Sequence, residues 1–180
     1  GAKTFLLRLA VLAQDYPQAI NDHVIAVKLN CLMRLGEQAM ASQLRMERIA
    51  DGSLNAAFYA DEAQARLSAN DAQGALQILD LAQKRLGSND VTAAIRSSAL
   101  QSSGQADAAG AVRMEKINGG SLNPIYFNDE AKSRLRAGNT QGALTILDLA
   151  AQRRCCDDHT DAIRADVLSQ LGQLEAASIL

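Results

Sequence analysis

The chain has 180 residues, a formal net charge of -2 and 48% hydrophobic residues, enough apolar matter for one compact domain or one short solenoid. Aromatics are only 3% and Trp is absent, so small side chains, mostly Ala, must do much of the packing; Ala is also the best helix former. The near-neutral balance, with basic residues interleaved among acids, argues against nucleic acid as the main partner, and no apolar run approaches the ~20 residues of a membrane span.

Taken in chain order, Phe5 to Ala13 is apolar but short and contains Arg8. It lacks the basic start and small-residue cleavage site of a signal peptide, and residues 3–16 read as the last helix of a preceding unit. Repetition then takes over. GSLN at 52–55 returns at 120–123, DEA at 61–63 at 129–131, and ILDLA at 78–82 at 146–150, each offset by 68 residues. About half the positions from Gly52 to Val112 recur as identities at this offset. Self-similarity at a fixed period is the sequence mark of a solenoid or array.

A period of half that length lies underneath. Gly36, Asn70, Gly104, Gly138 and Gly172 step by 34, and five residues after each comes Ala: Ala41, Ala75, Ala109, Ala143 and Ala177. A glycine or asparagine fits the left-handed end of a helix, and a small residue inside the next helix lets two helices cross closely. Each unit therefore reads as helix, tight turn, helix, loop. The predicted units run 22–55, 56–89, 90–123, 124–157 and 158–180. In the helix predicted from Asn139 to Arg153, apolar residues at Ala143, Leu144, Ile146, Leu147, Ala150 and Ala151 form one amphipathic stripe. Leu76, Ile78, Leu79, Leu81 and Ala82 repeat it one double unit earlier. The last unit stops at Leu180 inside its expected second helix, on apolar Ile179 and Leu180, which reads as a piece of a longer array.

A 34-residue helical hairpin with these Gly and Ala series resembles the tetratricopeptide repeat over nearly the whole chain. Small residues in mid-first-helix match at Ala63, Ser97, Ala131 and Ala165 but not at Leu29; Ala82 and Ala150 match late in the second helix. Tyr59 and Phe127 stand where that family has an early Trp, and its inter-unit proline is missing. The resemblance implies an all-α, right-handed superhelical solenoid of antiparallel hairpins, with a concave groove that holds a peptide or helix of a partner. The carboxylate clamp of some members is incomplete here, with Ala26 and Asn30 at its places in the first full unit.

Where the family pattern expects an apolar residue, this chain has Lys28, Glu62, Arg96, Glu130 and Arg164, alternating in sign unit by unit. First helices packed about 8–10 Å apart put such side chains within reach of one another. The expectation is an inter-repeat ion ladder, with Arg66 and Arg134 adding i,i+4 partners to Glu62 and Glu130. The bland alternative is a solvated face of little energetic weight.

Chemistry is sparse. The contiguous Cys155, Cys156, Asp157, Asp158 and His159 lack the spacing of a metal site and read as an inter-unit turn capped by Asp158. His23 has no helical i,i+4 partner, and Cys31 lies on an apolar stripe and reads as core. The glycine-bearing turns NGG at 118–120 and GNTQG at 138–142 lack the Lys-Ser/Thr of a P-loop. The three cysteines are no disulfide framework and fit a reducing, cytoplasmic compartment; an upstream signal, if removed, would make it periplasmic.

The reading is a non-catalytic interaction scaffold without cofactor or metal, binding a protein or peptide, probed by His23, Asn30, Arg34, Gln64, Asn128, Lys132 and Arg136 on first-helix faces. The Ala/Gln-rich texture suggests a bacterial assembly or secretion protein. The alternatives are a self-associating or coat-like subunit that stacks through exposed repeat ends, or an accessory domain of a larger enzyme or polysaccharide-export protein.

Overall fold

A computed structural model describes residues 1–15 and 21–173. Among the described residues there are ten helices and no strand. They group into two compact units, Gly1–Gly87 and Ser88–Leu180. The first holds α1 (Ala2–Asp15), α2 (Asp22–Arg34), α3 (Gln38–Ala50), α4 (Ala56–Ser68) and α5 (Ala72–Leu86). The second holds α6 (Asp90–Ser102), α7 (Ala106–Asn118), α8 (Pro124–Arg136), α9 (Thr140–Gln152) and α10 (Asp158–Gln170). Within each unit consecutive helices pack on one another, and α10 also packs on α8. The expected second helix of the last unit, with Ala177, lies outside the described residues.

Local chemistry sets the boundaries. Each first helix ends on a residue in the left-handed region: Gly36 at φ 77, Asn70 at 61, Gly104 at 79, Gly138 at 75 and Gly172 at 74. There the chain reverses, and the N–H of Glu37 reaches back to the Leu32 carbonyl at 2.9 Å, satisfying an orphan helix-end acceptor. Most of the succeeding helices start on a side-chain cap. Asn55 and Asn123 accept from the N–H groups of Ala57 and Ile125, and Pro124 takes the N1 place where no N–H is needed. Asn89 with Thr92, and Asp157 with Thr160, form reciprocal capping boxes. The cap of α10 is thus Asp157, not the expected Asp158. The equivalence with Asn89, 68 residues earlier, fixes the register.

The small-residue series sits at the closest approaches. Ala41, Ala75, Ala109 and Ala143 are all fully buried, as are Ala63, Ala131 and Ala150, with Ala82 and Ser97 nearly so. Ala165 is half-buried, and Leu29 fills its larger place as core. Phe58 and Tyr59 are buried in the first unit, and Tyr126 and Phe127 in the second, so the phenol changes place between the two copies. Tyr59 donates to the Ser53 carbonyl at 2.8 Å, and Tyr126 to the Asp90 carbonyl at 2.6 Å. Arg85 then donates to the Tyr59 hydroxyl at 3.0 Å, whereas its counterpart Arg153 lies over the Phe127 ring, 5.7 Å from the centroid. Both arginines also donate to the end of the preceding second helix, at the carbonyls of Ile49 and Ile117.

The 68-residue double period has a physical basis in two buried ionic clusters. Arg45 on α3 donates through Nε to Glu62 on α4 at 3.0 Å, and Arg66 closes on the same carboxylate from one turn away at 3.0 Å. The second copy is Arg113 on α7, Glu130 and Arg134 on α8, at 3.0 and 2.9 Å. The Met46 and Met114 thioethers accept from Arg66 and Arg134. In the alternate units Leu79 and Leu147 stand at the places of Arg45 and Arg113. This wiring differs from the ladder expected between first helices. Glu62 and Glu130 meet the second helix of the preceding hairpin, because that face turns inward to the hairpin interface. Arg164 likewise pairs with Asp148 on α9, at 2.6 Å, while Lys28 and Arg96 lie half-buried on α2 and α6.

Candidate functional site

On the first unit, α2, α3 and α4 surround an open pocket of ≈ 1100 Å³. Three of the residues singled out in the sequence line it: Asn30, Arg34 and Gln64, all exposed. Spacing explains their convergence. Asn30 and Arg34 lie one turn apart on α2, and Gln64 comes from the neighbouring first helix. The pocket is also walled by Leu29, Met33 and Phe58, and the ionic cluster of Arg45, Glu62 and Arg66 forms part of its lining. Arg45 is almost wholly buried, yet its Nη2 has no hydrogen-bond partner. His23 is exposed at the start of α2 and does not belong to this pocket.

On the second unit the remaining candidates separate. Asn128, Lys132 and Arg136 are spaced one turn apart on α8, but they do different things. Asn128 is buried and donates through Nδ2 to Asp157 at 3.1 Å, so it ties α8 to the cap of α10 and is no free groove residue. The correction follows from the packing of α8 on α10, which covers that turn. Lys132 is half-buried and donates to the His159 ring at Nε2, a contact the sequence did not predict because it joins residues 27 apart. Arg136 is exposed.

The titratable groups are tuned by the same caps. The carboxyl of Asp22 is held below its ordinary range by the hydroxyl of Ser53 and by Arg48. That of Asp157 is lowered by Thr160, through its hydroxyl and its backbone N–H. Burial pushes the Tyr126 phenol up to about 12. Burial also raises both adjacent thiols, Cys155 and Cys156, away from the thiolate a nucleophile needs. Cys31 is half-buried rather than core. Among the described residues there is no group of three or more His, Cys, Asp or Glu placed to hold a metal ion, and no helix is long and apolar enough to cross a membrane.

No family model matches the sequence, and no curated protein matches it significantly. The structure is similar to a solved tetratricopeptide repeat protein from Parabacteroides merdae ATCC 43184, with a TM-score of 0.71. The likeness covers 99% of this chain and 69% of that one, at 10% sequence identity. The chain has the tetratricopeptide repeat fold.

Backbone architecture at such low identity is held by small-residue crossings and turns rather than by particular large side chains. The tetratricopeptide pattern survives here in the buried Ala series and the left-handed turn series. To this pattern the chain adds the pair of buried ionic clusters and the pocket beside the first of them.

Proposed function

We propose that this chain is a non-catalytic interaction scaffold that holds a peptide or helix of a partner protein against its first-helix faces. The observation that carries the reading is the open pocket of α2, α3 and α4, where Asn30, Arg34 and Gln64 converge beside apolar wall residues. Pockets of apolar floor and a few polar groups are the usual form of a recognition site. The adjacent thiols are raised by burial, and a helical-hairpin array typically serves as a scaffold. Lys132 and Arg136 on α8 extend the reading to the second unit. A bacterial assembly or secretion system is the setting we favour, on the Ala-rich texture and the bacterial source of the structural neighbour.

The test is affinity capture from bacterial lysate with the wild-type chain as bait, beside Arg34→Glu and the double variant Lys132→Glu with Arg136→Glu. A partner captured by wild type and lost with Arg34→Glu supports the reading. Retention by the double variant removes the α8 segment from it. A partner retained by all the variants defeats the assignment of binding to first-helix faces.

A second reading, self-association, has an observation of its own. Phe5, Leu7 and Val11 on α1 are exposed although large and apolar. Light scattering across a concentration series separates the two: a constant monomer mass rules out self-association.

A further inference from the structure

The two copies of the double hairpin keep the same buried ionic cluster but differ at the rim above it. Met33 and Arg34 on α2 correspond, 68 residues on, to Gln101 and Ser102 on α6; Gln64 on α4 corresponds to Lys132. The arginines, the glutamate and the methionine of the cluster are retained, whereas the rim around them is changed. Met33 accepts from Arg45 through its sulfur at 4.0 Å, yet it is 43% exposed, so much of its apolar side chain still faces water. A flexible thioether is well suited to mould itself against another apolar side chain. Ala26, Ala57 and Ala65 also line the pocket, small residues that leave room for that side chain.

Charge indicates what accompanies the apolar group. The pocket is lined by three arginines, Arg34, Arg45 and Arg66, against two carboxylates, Asp61 and Glu62, in a chain whose overall charge is -2. Arg66 also has Asp71 at 3.6 Å, so these charges balance, and what matters is which of them is left to face a ligand. Arg34 is exposed, with no carboxylate partner among the described residues. That favours an incoming negative charge.

We propose that the α2–α4 pocket receives an amphipathic peptide segment in which an apolar side chain, seated against Met33, neighbours an Asp or Glu side chain met by Arg34. The inference rests on the scaffold reading and names the chemistry of its partner. Met33 supplies contact area and Arg34 supplies selectivity and electrostatic steering. A partly dehydrated pocket screens the charge of Arg34 less than open water does.

The experiment selects binders of the full chain from a displayed library of random peptides, followed by titration of the winners with wild type and with two variants. The variant Met33→Gln with Arg34→Ser installs the chain's own residues from the second copy at two exposed positions, and its fold is checked by circular dichroism; Arg34→Lys keeps the charge. We expect winners to pair an acidic with an apolar residue, to weaken about tenfold or more on the double exchange, and to weaken far less on Arg34→Lys. Affinity should also fall as salt is raised. Winners without an acidic residue, or winners that bind the double exchange as tightly as wild type, overturn the inference while leaving the scaffold reading intact. A library that yields no binder at all overturns the inference too, and the scaffold reading is then judged by affinity capture alone.

Discussion

Removing the buried carboxylate of Glu62 should cost this protein a large part of its stability, and removing its arginine as well should restore it. Glu62 and Arg45 have side chains only 1% and 3% exposed, joined at 3.0 Å, so neither charge can turn to water when the other is lost. Glu62→Leu strands the Arg45 guanidinium in the hairpin interface, at a cost of about 3–5 kcal/mol. Against a total stability of roughly 5–15 kcal/mol for a domain, that is severe. With a urea slope of about 2 kcal/mol per molar, the unfolding midpoint falls by about 2 M. Arg66 changes the sum little, because it is 29% exposed and keeps Asp71 at 3.6 Å. In the double variant Arg45→Leu with Glu62→Leu, an apolar pair replaces the ion pair, and stability should return to wild type or exceed it by about 1–4 kcal/mol. Leu79 and Leu147 already occupy the arginine's place in the alternate units. The assay is urea unfolding followed by far-ultraviolet circular dichroism on wild type, both single variants and the double. If Glu62→Leu costs less than about 1 kcal/mol, or if the two single losses simply add, the pair is not the coupled, desolvated unit described and the reasoning fails.

Three further outcomes follow from local geometry. Arg154 is exposed and sits at φ 56, where Gly52 and Gly120 stand after other second helices; Arg154→Gly should relieve left-handed strain of about 1–2 kcal/mol, less the entropy cost of glycine, and raise the melting temperature by a few degrees, whereas an unchanged or lower melting point contradicts this. The Tyr126 phenol is pushed from 10.0 up to about 12 by burial, so its neutral form is the one the fold favours: its stabilising contribution is intact below pH 10 and is lost as the pH rises toward 12. A circular dichroism titration of Tyr126→Phe should show a shallower alkaline loss over that interval than wild type, and identical curves would refute the assignment. Ala143 is fully buried at a helix crossing, so Ala143→Leu should overpack it at about 1–3 kcal/mol, while Ala151→Leu at an exposed place on the same helix should fall within about 0.5 kcal/mol in the same urea assay.

Much of the proposed binding face was legible as residues but not as a site. Asn30, Arg34 and Gln64 could be chosen from helical spacing because they are polar on a first helix. Asn128 passed the same filter and proved to be a buried strut, since spacing alone does not say which turn a neighbouring helix covers. A methionine on an amphipathic helix, such as Met33, ordinarily packs in the core. Its exposure depends on the neighbours it lacks, although its exchange for Gln101 in the second copy was a signal available in the sequence. The contact between Lys132 and His159 had no sequence signal of this kind.

The sequence by itself determined the repeating fold. Helix ends are local events, decided by a residue that tolerates left-handed backbone and a side chain that caps the next N–H groups. The 34-residue spacing of Gly36, Asn70, Gly104, Gly138 and Gly172, with alanine five residues on, therefore announced the hairpins before any contact was known. Only the tertiary structure decided what the alternating charges do. A ladder between first helices and a cluster reaching to the preceding second helix use the same residues at the same spacing. Which one forms depends on the direction in which packing turns Glu62 and Glu130, and that direction is set by the preceding second helix closing over them. Burial then makes the difference large, since a charge pair on a solvated face contributes little, whereas the same pair inside a hairpin interface cannot lose one member without leaving the other stranded.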